Sequence, residues 1–226
     1  MTKRHVPASG PVVPNVAVPS LAVPDLAVPN AAIPDRAAPN LADLKLGRPT
    51  KADLLAANGR AIPDVLAPDL AVVFCGINPG LWSAATAHHF ARPGNRFWPA
   101  LHRAGFTPRQ LDPAEQESML TYGLGITNLV ERGTARADEL TAAELVAGAE
   151  LLARKVEKLR PAWLAVLGVT AYRLAFGRRH AVVGAQPDPF GDTSVWILPN
   201  PSGLNAHYTL DRLAGEFAAL RNVAIG

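Results

Sequence analysis

Residues 13–42 repeat a five-residue unit six times: Val13-Pro-Asn-Val-Ala, Val18-Pro-Ser-Leu-Ala, Val23-Pro-Asp-Leu-Ala, Val28-Pro-Asn-Ala-Ala, Ile33-Pro-Asp-Arg-Ala and Ala38-Pro-Asn-Leu-Ala. A proline in every fifth place removes a backbone donor and blocks any helix from running through. Six pentads also make too few stacked coils to bury a solenoid core. Nine of the 21 prolines lie in residues 1–49, and all fourteen aromatic residues lie at or after Phe74. A segment without aromatics cannot bury enough surface to offset its ordering entropy. The pattern therefore predicts a proline-rich, disordered or polyproline-like tail over residues 1–49 and one folded domain over residues 50–226. A tether or a non-specific nucleic-acid arm is one role for such a tail. A dispensable expansion is the preferred one.

The folded part is well supplied for a core, since 49% of the chain is apolar. Cys75 is the only cysteine, so a disulfide within the chain and a four-cysteine zinc or iron–sulfur site are excluded. The adjacent His88 and His89 do not have helical ligand spacing, and no metal is expected. No uninterrupted apolar run approaches the ~20 residues of a membrane helix. Lys3 and Arg4 are followed by prolines that break a signal peptide's apolar stretch. The expectation is a soluble, cytoplasmic protein with no membrane partner.

The net charge of +3 is modest, so its placement matters more than its size. Between Asp69 and Asp112 there is no acidic residue, while Arg92, Arg96, Arg103, Arg109, His88, His89 and His102 all fall there. Such a cluster suits a phosphate footprint, although on charge alone an ordinary solvated face is favoured.

Strands and helices alternate along residues 50–226. Residues 50–58 read as a short helix capped by Thr50 and stopped by Gly59. Ala71 to Cys75, Ile126 to Leu129, Ala162 to Leu167 and Val195 to Leu198 read as strands, the apolar ones suited to a buried parallel sheet. Helices are predicted from Asn95 to Ala104, Pro113 to Tyr122, Thr141 to Leu159, 169 to 176, and Thr209 to Arg221. Thr141 with Glu144 makes a capping box. The fold class that follows is α/β, a parallel sheet with helices on both faces. In such folds ligands bind at the carboxyl ends of the strands. Two unusual loops sit there, Gly76-Ile-Asn-Pro-Gly80 and Pro199-Asn-Pro-Ser-Gly-Leu-Asn205, and they are expected to meet at one cleft. Neither is a dinucleotide fingerprint, a P-loop or a nucleophile elbow.

The run VVFCGINPGLWSAATAHHFARPGNRFWPALHRAGF from Val72, together with WILPNPSGLN from Trp196, resembles the mismatch-specific uracil-DNA glycosylases, bacterial relatives of thymine-DNA glycosylase. The resemblance covers about residues 60–222. It implies a three-layer α/β/α sandwich with a short, mainly parallel central sheet. It makes residues 50–226 a catalytic domain that flips a damaged pyrimidine out of duplex DNA and hydrolyses its glycosidic bond. It implies no cofactor, and as partner a double-stranded DNA with a G:U or G:T mismatch, met by a monomer.

The resemblance carries residue roles. Asn78 matches the family's water-holding Asn. An amide cannot take the proton, but its carbonyl can hold a water beside the anomeric carbon while the base leaves first. Glycosidic hydrolysis more often uses carboxylates, and neither loop holds one. Phe90 matches the aromatic on which the flipped base stacks. Ile77, Gly80 and Ser83 line the base pocket, joined by Asn95, for which helix capping is an equal candidate role. Asn200 stands where faster uracil glycosylases carry a histidine. Leu204 matches the wedge that fills the gap in the duplex, flanked by Ser202, Gly203, Asn205 and His207, with Arg92 and Arg96 as further DNA contacts. Some relatives carry an arginine just past the wedge, where this chain has Ala206. Two other classes stay open: a non-catalytic nucleic-acid-binding module on the same fold, against which Asn78 argues, and a small-molecule enzyme, against which Leu204 argues.

Overall fold

The computed structural model describes residues 48–226, and the pentad segment lies outside the described residues. The chain forms helix α1 (Lys51–Ala56), strand β1 (Val72–Gly76), α2 (Leu81–Thr86), α3 (Phe97–Arg103), a 3-10 helix (Pro113–Tyr122), β2 (Leu124–Asn128), α4 (Ala142–Leu159), β3 (Trp163–Leu167), α5 (Val169–Ala175), β4 (Gly184–Ala185), β5 (Ser194–Leu198) and α6 (Leu210–Ala224). The five strands make one sheet in the order β2-β1-β3-β5-β4, all parallel except the short β4 on one edge. Among the described residues no helix is long and apolar enough to cross a membrane.

Strand periodicity explains the layers. Successive side chains point to opposite faces. Val72 and Phe74 of β1 therefore pack with Phe97 and Leu101 of α3 and Leu213 and Phe217 of α6. Val73 and Cys75 point the other way, against Leu152 and Val156 of α4 and Tyr172 of α5. Both faces are covered, which is why the strands read as continuous apolar runs. Phe74 anchors the first face, its ring 5.4 Å edge-on to Phe97 and 5.7 Å stacked on Phe217. The expected three-layer α/β/α arrangement is the observed one.

Local chemistry sets the helix ends. Thr141 accepts from the Glu144 backbone N–H at 3.2 Å and Glu144 Oε2 accepts from the Thr141 backbone N–H at 2.8 Å, so the predicted capping box opens α4. Thr50 and Asp53 make the same reciprocal pair at α1. The segment 113–122 opens with a capping box of Asp112 and Glu115 but winds as a 3-10 helix, because it lacks the apolar stripe that would seat an α-helix. The helix predicted from Asn95 starts at Phe97. Asn95 Oδ1 accepts from the Phe97 backbone N–H at 2.9 Å, and this turn holds the chain out of the helix until that point. Helix α2, directly after Gly80, was not expected from the sequence.

Candidate active site

The carboxyl ends of β1, β2, β3 and β5 open into a cavity of about 580 Å3. Its lining brings together the two loops singled out in the sequence: Gly76, Ile77, Asn78, Pro79 and Gly80 from one, Asn200, Pro201, Ser202 and Leu204 from the other. Ser83, Phe90, Arg92 and Asn95 reach the same cavity. Gly203 and Asn205 lie in the second loop and His207 just after it, and none of the three lines the cavity.

Asn78 is held by its amide nitrogen. Nδ2 donates to Thr134 Oγ1 at 2.7 Å, to the Arg132 carbonyl at 3.0 Å and to the Pro79 carbonyl at 3.2 Å. Thr134 Oγ1 gives its own proton to the Arg136 carbonyl at 2.8 Å. The hydroxyl can then only accept from Asn78, which fixes which end of the amide faces it. Oδ1 is left as an acceptor with no hydrogen-bond partner among the described residues. The loop carrying these partners is itself tied down: Thr134 N–H donates to the Pro79 carbonyl at 3.0 Å and Val130 N–H to the Ile77 carbonyl at 2.9 Å. Arg132 is clamped in turn by Glu144, whose carboxyl is held at about 2 by the Arg132 guanidinium first and by the Thr141 N–H and hydroxyl. The capping box of α4 thus stands behind the residue that orients Asn78.

The floor of the cavity lies where β1 and β2 end side by side, with Gly76 paired in register to Asn128. A Cβ on Gly76 would sit 2.6 Å from Asn128 Oδ1 and 3.2 Å from Phe90 Cζ, so only glycine leaves this slot open. Phe90 holds a left-handed backbone at φ 54°. That conformation costs a non-glycine residue about 1–2 kcal/mol. Stacking on Phe97, with ring centroids 4.2 Å apart, offsets it and backs the ring against the core. Beneath lies His89, fully buried, its basicity lowered by burial. Ser83 is buried and its Oγ accepts from the Ala91 N–H at 3.2 Å, fixing the turn into Phe90. Cys75, next to the loop, is inert packing, because burial pushes its thiol far up.

The second loop is built by its own polar side chains. Asn200 Oδ1 accepts from the Ser202 N–H at 2.9 Å, and Asn205 Nδ2 donates to the Asn200 carbonyl at 3.0 Å. Asn205 Oδ1 accepts from the His207 N–H at 3.2 Å. A Cβ on Gly203 would lie 2.6 Å from the Gly94 carbonyl oxygen, so glycine lets this loop approach the turn at Gly94. At the tip Leu204 is 76% exposed, an apolar side chain with no cover.

Arg96 is turned toward the second loop. Its Nη1 donates to the Tyr208 carbonyl, and its Nη2 donates to the Ser202 carbonyl and, at 2.9 Å, to the Asn205 carbonyl. Both terminal nitrogens are thus engaged within the loop, which the guanidinium braces. The basic cluster is likewise partly neutralised, since Arg103 pairs with Asp211 and Arg109 with Glu115. Arg92 stays exposed at the cavity rim, and among the described residues no carboxylate pairs with it. Asn95 accepts from the Phe97 N–H at the start of α3 and also lines the cavity.

The sequence reading missed Thr134, Asn128 and the buried setting of His89. Asn128 carried a signal: it is a polar residue near the end of a predicted strand, on the side where ligands bind. Thr134 lies in an irregular loop and carried none.

A model of the Uracil DNA glycosylase superfamily matches residues 63–222. The chain is also similar in structure to a candidate uracil DNA glycosylase from Methanosarcina acetivorans, solved by solution NMR, with 17% identity and a TM-score of 0.52 over 73% of this chain and 98% of that one. At that identity the likeness bears on the fold. The family match spans both loops and all four strand ends that form the cavity, and the chain belongs to the uracil DNA glycosylase superfamily.

Proposed function

We propose that the chain is a monofunctional DNA N-glycosylase of the mismatch-specific type. It takes uracil opposite guanine, with thymine and ethenocytosine as further substrates to be ranked, out of a DNA duplex and hydrolyses the glycosidic bond. The observation that carries this is the orientation of Asn78: every hydrogen-bond partner is on Nδ2, and Oδ1 is left to hold a water at the cavity. Among the cavity-lining residues the only carboxylate is that of Asp138, paired to Arg136 at the rim. A reaction without a strong base proceeds by departure of the base and capture of an oxocarbenium-like sugar by the positioned water. Donors for the departing base come from the backbone of the 76–80 loop. Phe90 offers a ring for stacking, worth about 1–3 kcal/mol per base. Asn128 meets the base edge at the floor, and Leu204 enters the gap that the base leaves.

The test is single-turnover excision from U:G, U:A, T:G and ethenocytosine:G duplexes and from single-stranded uracil DNA, by the chain and by Asn78→Ala. Excision by the chain, with Asn78→Ala binding U:G duplex as before but cutting at least about a hundredfold more slowly, is expected for loss of a group acting in the transition state. Binding and excision lost in equal measure would instead make the loop structural. Binding without excision by the unaltered chain would favour a nucleic-acid-binding module.

A further inference from the structure

We propose that His89 is a positioning residue that fixes the amide of Asn128 with Oδ1 toward the cavity. Through it the site favours a pyrimidine with an N3–H, uracil or thymine, over cytosine. This rests on reading the cavity as a base pocket.

The argument is a proton inventory. His89 Nε2 lies 2.9 Å from the Pro63 carbonyl oxygen. A carbonyl only accepts, so Nε2 carries the proton. The ring is 1% exposed and burial disfavours its charged form, so Nδ1 keeps a lone pair. Nδ1 lies 3.3 Å from the Asn128 amide, and only the NH2 end of that amide can donate to it. Oδ1 is thereby turned to the slot between Gly76 and Phe90, where no side chain intervenes.

The ring cannot readily swing to undo this. The His89 N–H donates to Gln116 Oε1 at 2.8 Å, and Trp98 Nε1 donates to the His89 carbonyl at 3.1 Å. Gln116 is itself held to the Ala87 carbonyl at 3.2 Å. Both backbone groups and both ring nitrogens of His89 are thus fixed by named partners.

An amide so presented offers an acceptor and one remaining N–H. Uracil and thymine offer the complement, an N3–H beside the O4 acceptor. Neutral cytosine offers the reverse, a bare N3 beside an amino group, and its N3 lone pair would face Oδ1. A flipped base is read along this edge. The opposite amide orientation would invert the preference, so the choice is made by the residue that sets the amide.

The experiment uses the full chain and duplexes carrying 5-fluorouracil or 5-fluorocytosine opposite guanine, two bases that differ only along that edge. Fluorine makes both better leaving groups, so both rates are measurable. The unaltered chain is expected to favour fluorouracil strongly. His89→Phe keeps a ring but no acceptor, and it is expected to narrow the ratio of the two rates by about tenfold, the scale of one paired edge contact. His89→Gln can serve both the Pro63 carbonyl and the Asn128 amide, and is expected to keep the ratio. Equal fractional losses on both bases in His89→Phe would make His89 merely structural and overturn the proposal. A second readout needs no excision: long-range 15N correlation spectra of the unaltered chain are expected to show the Nε2–H tautomer. An Nδ1–H tautomer would overturn the proposal even if uracil is excised. A chain that shows the expected tautomer but excises neither base removes the base-pocket reading, and the selectivity with it.

Discussion

Asn78 Nδ2 and Thr134 Oγ1 lie 2.7 Å apart, and the Thr134 hydroxyl donates its own hydrogen bond to the Arg136 carbonyl. On the proposed reading, Thr134 therefore decides which end of the Asn78 amide meets the attacking water. Thr134→Ala removes that decision while leaving the Arg132 and Pro79 carbonyls as weaker guides. A hydrogen bond of this kind is worth about 1 kcal/mol net. Excision of uracil from a U:G duplex should fall about five- to tenfold with the dissociation constant unchanged. Thr134→Ser keeps the hydroxyl and should recover most of the rate. A Thr134→Ala variant with unaltered excision would show that the two backbone carbonyls suffice.

The clamp behind this pair gives a pH signature. The Glu144 carboxyl is lowered from 4.5 to about 2 by Arg132 and by the N-terminal residue of its capping box. Between those values the unfolded chain binds a proton there that the folded chain does not, so stability rises with pH through the window. The contribution is fully present above about 4.5 and lost as pH falls toward about 2. Glu115, held at about 2 by Arg109, behaves in the same sense. Melting temperatures of the chain and of Glu144→Gln should differ most at neutral pH and converge in acid. A constant difference across the range would mean that Glu144 acts by shape alone.

The fold was legible because its strands are short apolar runs and its long helices carry capping residues at their starts. Val72 to Cys75 and Leu164 to Leu167 are buried on both faces, and nothing else suits a run of that length and kind. Leu81 to Thr86 was not legible, since six residues are too few to show a helical period. In the site, the two loops that meet at the cavity were legible because each is a Pro- and Gly-containing turn directly after an apolar strand, while the roles of Asn78 and Leu204 were carried by the family resemblance. His89 was not, because a histidine becomes a fixed hydrogen-bonding group only through partners such as Pro63 and Gln116, which lie far away in sequence. The surroundings of Arg96 were hidden for a related reason: a guanidinium looks the same in sequence whether it faces solvent or three carbonyls.

Arg92 and Arg96 should therefore separate in salt titrations. Arg92→Ala removes an exposed cation at the rim, and the slope of log K against log salt for duplex binding should fall by about 0.9. Arg96→Ala should leave the slope alone, since its guanidinium is occupied within the loop. It leaves three carbonyls without their donor, at about 1–3 kcal/mol if they stay dry, and should lower the melting temperature by several degrees. Equal changes in slope for the two variants would return Arg96 to the DNA surface.

Leu204 stands exposed on a loop that Arg96 braces and that Gly203 brings against Gly94. Removing a nucleotide from a duplex leaves a gap and costs a few kcal/mol of pairing and stacking. A leucine entering the gap offsets part of that cost and slows the base's return, while alanine is too short to reach. A single strand has little stack to restore, so the wedge has less to do there. Leu204→Ala should thus slow excision from U:G duplex about tenfold and from single-stranded uracil DNA much less, given wedge energies of the order of an unstacked step. Because the exposed side chain has little packing to lose, the variant's unfolding free energy should stay within about 0.5 kcal/mol of the unaltered chain's. Single-turnover rates on the two substrates decide the matter: equal fractional losses on both would place the effect in the shape of the Asn200 to Asn205 turn and not in the duplex.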